Sequence, residues 1–140
     1  MRVFLDANVL FSAAYRETGS VRHLFSLAEA GTCELVSSRY AVEEARRNVR
    51  AKRPERLEDL EHLIRQLSAC TEPPSEAIAW AKEQKLPPKD APILAAAAEA
   101  RCNLLVTGDR THFGHLFGRM LRAVAVLLPA DAIDLLISGS

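Results

Sequence analysis

The sequence predicts a single α/β domain built around a parallel β-sheet, and three observations support this fold class. Short apolar runs rich in strand formers alternate along the chain with segments of helical periodicity. Parallel strands need helical crossovers, so this alternation favours a parallel sheet. The 140 residues suit one domain, and we find no repeat, low-complexity tract or linker to divide them. The predicted domain therefore spans residues 1–140.

The first predicted strand, Val3 to Leu5, ends at Asp6-Ala7-Asn8, where the residue types favour turns and helix caps. A helix with Ser20 as its N-cap and Gly31 as its stop follows, because apolar residues recur between them at helical spacing. The chain thus places an acid at the carboxyl end of its first strand.

The middle of the chain continues the alternation. We predict a strand from Glu34 to Ser37, a helix from Ser38 until Pro54, a further helix opened by Pro54, an extended piece from Cys70 to Glu72 and a helix from Ser75 to about Lys85. Pro87-Pro88 ends this last helix.

The last third contains the most clearly defined strand. An Ala-rich helix from Asp90 to Arg101 leads into an apolar strand, Asn103 to Thr107, which ends at Gly108-Asp109. The remaining predictions are a short helix from Phe113 to Met120, a strand from Ala123 to Leu127 and a closing helix from Pro129 to Ile137.

Charge is balanced over the whole chain but not along it. Lys plus Arg and Asp plus Glu each total 18, so the molecule lacks an overall field that attracts an anionic polymer. Six basic residues nonetheless fall close together: Arg46, Arg47, Arg50, Lys52, Arg53 and Arg56. This run suits a solvated helix face or a local contact with a phosphate backbone.

The cysteines and the N-terminus bear on the compartment. Cys33, Cys70 and Cys102 lie far apart and form no C-x-x-C pair, which argues against a zinc knuckle or a disulfide framework. An acid at position 6 interrupts any secretory signal, and no uncharged stretch approaches the roughly 18 residues that span a bilayer. The sequence therefore predicts a cytoplasmic protein without a membrane segment.

Three acids are predicted to converge at one edge of the sheet. Asp6 follows the first strand and Asp109 the fourth, and ligands of open parallel sheets bind outside the carboxyl ends of strands. Asp90 begins the helix before the Asp109 strand, so it starts near the edge where that strand ends. Each acid alone suits a helix cap or a turn. Several crowded acids instead raise one another's pKa values unless a divalent cation neutralises them.

An oxygen-only ligand set favours Mg²⁺ or Mn²⁺ over zinc. Such ions activate water and neutralise developing charge in phosphodiester cleavage, which then needs no protein nucleophile. The chain accordingly shows no Gly-x-Ser-x-Gly elbow, P-loop or Gly-rich dinucleotide turn.

Four sequence blocks carry these acids: Phe-Leu-Asp-Ala-Asn-Val-Leu-Phe-Ser (4–12), Val-Glu-Glu-Ala (42–45), Lys-Asp-Ala-Pro-Ile-Leu-Ala-Ala-Ala (89–97) and Leu-Leu-Val-Thr-Gly-Asp (104–109). In order and spacing they resemble the four conserved blocks of PIN domains, a family that includes VapC-type toxins. The resemblance covers nearly the whole chain, and its first and last blocks are the more specific. It implies a three-layer α/β/α fold, with a parallel sheet ordered 3-2-1-4-5, and a Mg²⁺- or Mn²⁺-dependent ribonuclease.

The resemblance also implies roles for individual residues. The acidic catalytic set would be Asp6, Glu44, Asp90 and Asp109, with Asp6, Asp90 and Asp109 as metal ligands. Glu44 is preferred to Glu43 because it directly precedes an apolar residue. Asn8 and Thr107 match polar positions beside the first and last acids, and the predicted substrate contacts are Asn8, Thr107, Arg46, Arg47 and Arg50. The implied partners are an RNA substrate, a small antitoxin protein and a second copy of the chain.

Two alternatives stay open. Thr111 stands where many members carry a further acid or Asn, so we expect one tightly bound ion and a second that arrives with substrate. A catalytically silent module that binds RNA or protein fits the same feature. A phosphatase using Asp6 as its nucleophile would need an acid at position 8, where Asn8 stands. His112 and His115 are interpreted as packing or surface groups.

Overall fold

The computed structural model describes residues 1–139, in which strands and helices alternate. The strands are β1 (Arg2–Leu5), β2 (Glu34–Ser38), β3 (Ser68–Cys70), β4 (Leu104–Val106), β5 (Met120–Leu121) and β6 (Val124–Leu127). They form one sheet in the order β3-β2-β1-β4-β6-β5. All neighbours are parallel except β5, which is antiparallel to β6.

Eight helices flank the sheet within this part of the chain. They are α1 (Ala7–Tyr15), α2 (Ser20–Glu29), α3 (Arg39–Lys52), α4 (Leu57–Ile64), α5 (Ser75–Lys82), α6 (Ala91–Glu99), α7 (Arg110–Phe113) and α8 (Pro129–Ser138). From β1 the chain adds β2 and then β3 toward one edge of the sheet. It then passes back to the other side of β1, where it adds β4 and later β6 toward the opposite edge. Because such crossovers are right-handed, α1 to α4 cover one face and α5 to α7 the other. Helix α8 packs on α2.

The two central strands form the middle of the core. Val3, Phe4 and Leu5 of β1 are fully buried, as is the whole of β4 apart from 2% of Leu104. Burial on both faces explains why these strands are continuous apolar runs rather than alternating ones. Their parallel pairing brings the carboxyl ends of β1 and β4 side by side, with Leu5 opposite Val106.

The predicted fold class is confirmed. The predicted strand order, 3-2-1-4-5, is also confirmed, because the strand predicted as the fifth is β6, which pairs with β4. The sheet has one additional strand, because Met120–Leu121 turns back along β6 as an antiparallel edge. The predicted helix from Phe113 to Met120 is therefore wrong over most of its length: α7 ends at Phe113, and a single 3-10 turn follows. The hairpin requires two consecutive left-handed residues, Arg122 and Ala123.

Other differences concern helix beginnings. Helix α1, Ala7–Tyr15, has no counterpart among the predicted elements. The helix predicted to begin at Ser38 is α3, and Ser38 is its N-cap because its side chain accepts a hydrogen bond from the Ala41 amide. Ser20 and Ser75 instead lie inside their helices, since the N-cap positions are Gly19 and Pro74.

The cysteine thiols are unpaired, and Cys33 and Cys102 are buried. No helix within residues 1–139 combines the length and apolar character that crossing a bilayer requires.

Candidate active site

A cavity of about 480 Å³ opens at the carboxyl edge of β1 and β4. Its lining contains all four acids singled out in the sequence, together with three other residues: Asp6, Asn8, Glu44, Lys89, Asp90, Gly108 and Asp109. The acids come from four separate parts of the chain, at the ends of β1 and β4, on α3 and at the start of α6. Folding therefore assembles the acidic cluster that the topology predicts.

Asp6 is held rigidly at the end of β1. It is only 3% exposed, and both of its carboxylate oxygens accept hydrogen bonds. Oδ1 accepts one from the Ala7 amide at 2.6 Å. Oδ2 accepts one from the Thr107 hydroxyl at 2.8 Å and one from the Asn8 amide group at 3.1 Å. Asp6 is thus also the N-cap of α1, which combines the cap and pocket interpretations of this residue.

Asn8 and Thr107 fasten the ends of the two central strands together. Asn8 Oδ1 accepts a hydrogen bond from the Gly108 amide at 2.8 Å, and its amide group donates to Thr107 Oγ1 at 3.2 Å. Thr107 Oγ1 also accepts from the Asp109 amide at 3.1 Å. Asn8 lines the cavity, whereas Thr107 is 0% exposed and supports Asp6 from behind. Thr107 is therefore not exposed for the predicted direct contact with substrate, and its hydroxyl instead holds the Asp6 carboxylate.

Asp109 caps the short helix α7 and binds a histidine. Its Oδ1 accepts a hydrogen bond from the His112 amide at 2.9 Å. Its Oδ2 lies 2.8 Å from Nδ1 of the His112 ring, which donates to it when the proton is on Nδ1. From the sequence His112 is interpreted as a packing or surface group, yet its spacing of three residues from Asp109 places both side chains on the same helical turn. That spacing was the available signal.

Asp90 differs from the other acids of the cavity because one of its oxygens is buried without a hydrogen-bond partner among the described residues. The residue is 9% exposed, and its side chain does not cap α6. Oδ2 is buried without a hydrogen-bond partner among residues 1–139. His112 Nδ1 approaches it to 3.0 Å, but the same nitrogen lies closer to Asp109 Oδ2, at 2.8 Å. A buried carboxylate oxygen without a donor is costly, and such atoms often mark a site for a missing cation.

The pocket perturbs the two most buried acids. Burial raises the pKa of Asp6 to about 6, against the hydrogen bonds from Thr107 and Ala7, and the charges of Glu44 and Asp90 raise it further. Burial also raises the pKa of Asp90, with a smaller rise from Asp109, while His112 and Lys89 oppose the shift. In both cases the surroundings disfavour the ionised carboxylate.

Neighbouring glutamates on α3 face different surroundings. Glu44 lines the cavity and raises the pKa of Asp6, whereas Glu43 forms an ion pair with Arg46 at 2.7 Å. The same Arg46 guanidinium makes two hydrogen bonds to Glu61 of α4, at 2.7 and 2.8 Å. The geometry agrees with the choice of Glu44 for the acidic set.

Much of the predicted basic run is engaged in contacts within the fold. Arg53 pairs with Glu55 and lies over the Tyr15 ring, and Arg56 pairs with Glu17 and Asp59. Arg47 and Arg50 are exposed and form no ion pair with the other described residues. The predicted phosphate contact of Arg46 would require its release from Glu43 and Glu61, whereas Arg47 and Arg50 are the exposed members of the predicted set.

Thr111 does not line the acidic cavity. It borders an adjoining cavity of about 430 Å³, whose lining also includes Lys85, His112 and Arg119. The His112 ring therefore stands between the two cavities. Position 111 therefore contributes no side chain to the acidic cavity.

The residues of the pocket fit a small divalent cation. The donors are carboxylate oxygens with one imidazole nitrogen, and Asp90, Asp109 and His112 offer three ligand atoms within 4.8 Å of one another. Asp90 Oδ2 supplies the buried atom that such an ion would satisfy. Lys89 is the single Lys or Arg side chain among the residues that line the cavity, so the acids outnumber local positive charge.

Comparisons with known proteins give a family and a fold. The family model described as a PIN domain matches residues 2–111. Among solved structures, the chain resembles VapBC2 from Rickettsia felis bound to a DNA fragment from their promoter, with a TM-score of 0.70 and 17% identity over 90% of this chain and 97% of that one.

Two further structures share the fold. VapBC-1 from nontypeable Haemophilus influenzae gives a TM-score of 0.60 and 16% identity over 93% of this chain and 99% of that one. FitAcB from Neisseria gonorrhoeae gives a TM-score of 0.59 and 20% identity over 91% of this chain and 98% of that one. A search of curated proteins gives no significant match.

Proposed function

Because this chain belongs to the PIN-domain family, we propose that it is an endoribonuclease that depends on Mg²⁺ or Mn²⁺. One observation carries the proposal: four carboxylates from distant parts of the chain line one cavity, and an oxygen of Asp90 is buried there without a hydrogen bond. Crowded acids of this kind suit a divalent cation, which is the cofactor that phosphodiester cleavage by carboxylates requires.

Asp6, Asp90 and Asp109 would hold the ion. When bound, it lowers the pKa of a coordinated water and neutralises charge that develops on the phosphate. Glu44 lies across the cavity and forms no ion pair with the described residues, so its carboxylate is free to accept a proton from the attacking water. Asn8 and Thr107 keep the Asp6 carboxylate in a fixed orientation.

The substrate is proposed to be RNA, held by its phosphates beside the acidic cavity. Lys89 lines the cavity as a cation, and Arg47 lies one helical turn from Glu44 on α3. Arg50 extends the same exposed surface. These cations offset the repulsion between the acids and a polyanion, which a chain of zero net charge does not offset overall.

We further propose that the protein is the cytoplasmic toxin of a toxin–antitoxin pair. The supporting observation is its structural similarity to VapBC and FitAB complexes, which cover most of this chain. The antitoxin would be a small protein that covers the acidic cavity, and the toxin would pair as a homodimer. Co-expression with the product of a neighbouring short reading frame tests both points, since the complex and the free toxin can be weighed in solution.

A silent binding module is the second candidate. Two observations support it. Thr111 stands where many members of the family carry a further acid or Asn, and both carboxylate oxygens of Asp109 already contact His112. Calorimetry with Mn²⁺ separates the candidates, because a silent module should show no binding that depends on the carboxylates.

The direct test of nuclease activity uses purified protein and a fluorogenic RNA. We expect cleavage in Mg²⁺ or Mn²⁺, none in chelator, and loss of cleavage in both Asp6→Asn and Asp90→Asn. Cleavage that survives both substitutions would contradict the proposed chemistry.

A further inference from the structure

The His112 ring approaches two carboxylates at once. Its Nδ1 lies 2.8 Å from Asp109 Oδ2 and 3.0 Å from Asp90 Oδ2. One proton on Nδ1 can satisfy only one of these oxygens, and Asp90 Oδ2 is the one left without a hydrogen bond among the described residues. The arrangement is thus one cation short of satisfying all three atoms.

These separations match the spacing of ligands around one metal ion. Small divalent ions bind oxygen and nitrogen ligands at about 2.1 Å, so adjacent ligands of an octahedral ion are about 3.0 Å apart. The observed 2.8 and 3.0 Å lie at that spacing, and all three atoms fall within 4.8 Å of one another. An ion between them would need little movement of the side chains.

The other side of the ring allows the necessary tautomer. Coordination through Nδ1 needs its lone pair, so the ring proton has to reside on Nε2. His112 also lines the adjoining cavity of about 430 Å³, so a proton on Nε2 would have solvent nearby to accept its hydrogen bond. The change from a donor to a ligand at Nδ1 is therefore a tautomeric shift that leaves a neutral ring neutral.

We propose that His112 is a metal ligand through Nδ1 and that it makes the site selective for a transition ion such as Mn²⁺ or Co²⁺ over Mg²⁺. The inference rests on the proposed function in placing an ion between Asp90 and Asp109, and it extends that function by assigning the ion's nitrogen ligand and its identity. Mg²⁺ takes oxygen ligands almost exclusively, whereas imidazole suits transition ions. His112 thus distinguishes between ions that the carboxylates alone would accept.

His115 provides a matched control. It lies three residues further on, is exposed, and places its Nε2 2.7 Å from the Gln84 carbonyl oxygen rather than near an acid. His112→Asn and His115→Asn therefore remove the same group from inside and outside the proposed coordination sphere.

The experiment measures binding of Mn²⁺ and Mg²⁺ separately by calorimetry, in wild type, His112→Asn, His115→Asn and Asp90→Asn. We expect His112→Asn to weaken Mn²⁺ binding by about tenfold or more, by analogy with losses of metal-supporting side chains. Mg²⁺ affinity should stay near the wild-type value, and His115→Asn should change neither. Electron spin-echo spectra of Mn²⁺ in wild type should show coupling to an imidazole nitrogen, a readout that does not depend on folding of a variant.

The outcomes separate this inference from the proposed function. The role of His112 would be overturned by the absence of nitrogen coupling in wild type, or by equal losses of Mn²⁺ and Mg²⁺ affinity in His112→Asn. In that case, metal binding that Asp90→Asn abolishes would still support the proposed nuclease. Absence of Mn²⁺ and Mg²⁺ binding in wild type would overturn both.

Discussion

The two halves of the acidic cavity differ in how the protein treats its carboxylates. On the β1 side, Asp6 accepts hydrogen bonds from Ala7, Thr107 and Asn8, so the fold fixes both of its oxygens. On the α6 side, Asp90 has a buried oxygen without a donor, and His112 serves Asp109 instead. Hydrogen bonds within the chain therefore fix the carboxylate of Asp6, whereas the buried oxygen of Asp90 receives none from the described residues.

The largest expected effect comes from the incomplete half. Asp90→Asn should reduce RNA cleavage by at least about a hundredfold, since it removes a carboxylate proposed to hold the ion that would neutralise charge developing on the phosphate. The same change should stabilise the metal-free protein by about 1 kcal/mol, because a buried charge without a donor is removed. Fluorogenic cleavage and urea denaturation in chelator measure the two effects. Cleavage within a factor of a few of wild type would break the comparison.

The pH dependence of stability tests the organised half. The pKa of Asp6 rises from 3.8 to about 6 on folding, so the folded state binds its proton more tightly than the unfolded state does. Stability from this group is fully present below the unfolded pKa and is lost as the pH rises through the folded pKa. The metal-free protein should therefore lose on the order of 3 kcal/mol between about pH 4 and pH 6.

Urea denaturation across that pH range, in chelator, measures the loss. Asp6→Asn is the control, since it should remove most of the dependence. Saturating Mn²⁺ should also flatten it, because the ion favours the ionised carboxylates. A wild-type stability that rises over the same interval would contradict the assignment of a raised pKa to Asp6.

A smaller effect is expected behind Asp6. Thr107→Val removes the hydroxyl that donates to Asp6 Oδ2, and a hydrogen bond to a charged group contributes about 2 kcal/mol. RNA cleavage should fall by about tenfold, as for other side chains that orient a metal ligand. Thr107→Ser keeps the hydroxyl, so it should restore most of the stability and most of the rate of RNA cleavage. Equal behaviour of the Val and Ser variants would show that the hydroxyl does not position Asp6.

The smallest effects should come from the face of α3 that points away from the cavity. Arg46→Ala breaks partly exposed ion pairs with Glu43 and Glu61, so it should cost no more than about 1 kcal/mol of stability. Arg46→Ala should leave the RNA affinity unchanged. Arg47→Ala should reduce the slope of the logarithm of the binding constant against the logarithm of salt concentration by about 0.7 for each phosphate contact that is lost. Both substitutions are made in protein that also carries Asp6→Asn, and RNA binding is measured by fluorescence anisotropy. A larger loss of binding for Arg46→Ala than for Arg47→Ala would contradict the proposal that Arg47 is the phosphate contact.

The strands that position the site could be predicted from the sequence because their signals are local. Val3 to Leu5 and Leu104 to Val106 are apolar runs that each end at an acid, and parallel pairing then brings Asp6 and Asp109 together. The helix α1 was not predicted, because Val9, Leu10, Ala13 and Ala14 are all buried and leave little contrast between two faces. A mostly apolar helix of nine residues has no clear periodicity.

The orientation of side chains could not be predicted. Glu43 and Glu44 differ in the sequence only by their neighbours, and the structure separates them through the position of Glu61 on another helix. The edge strand Met120–Leu121 depends on pairing with β6 rather than on its own two residues. The unsatisfied oxygen of Asp90 likewise depends on where α7 places His112, which no local pattern specifies.

Anomalous scattering from crystals soaked in Mn²⁺ tests the central claim most directly. We predict a peak at about 2.1 Å from Asp90 Oδ2 and from an oxygen of Asp109, with no such peak in Asp90→Asn crystals. A wild-type cavity without a peak at saturating Mn²⁺, or with one only away from Asp90, would contradict the account.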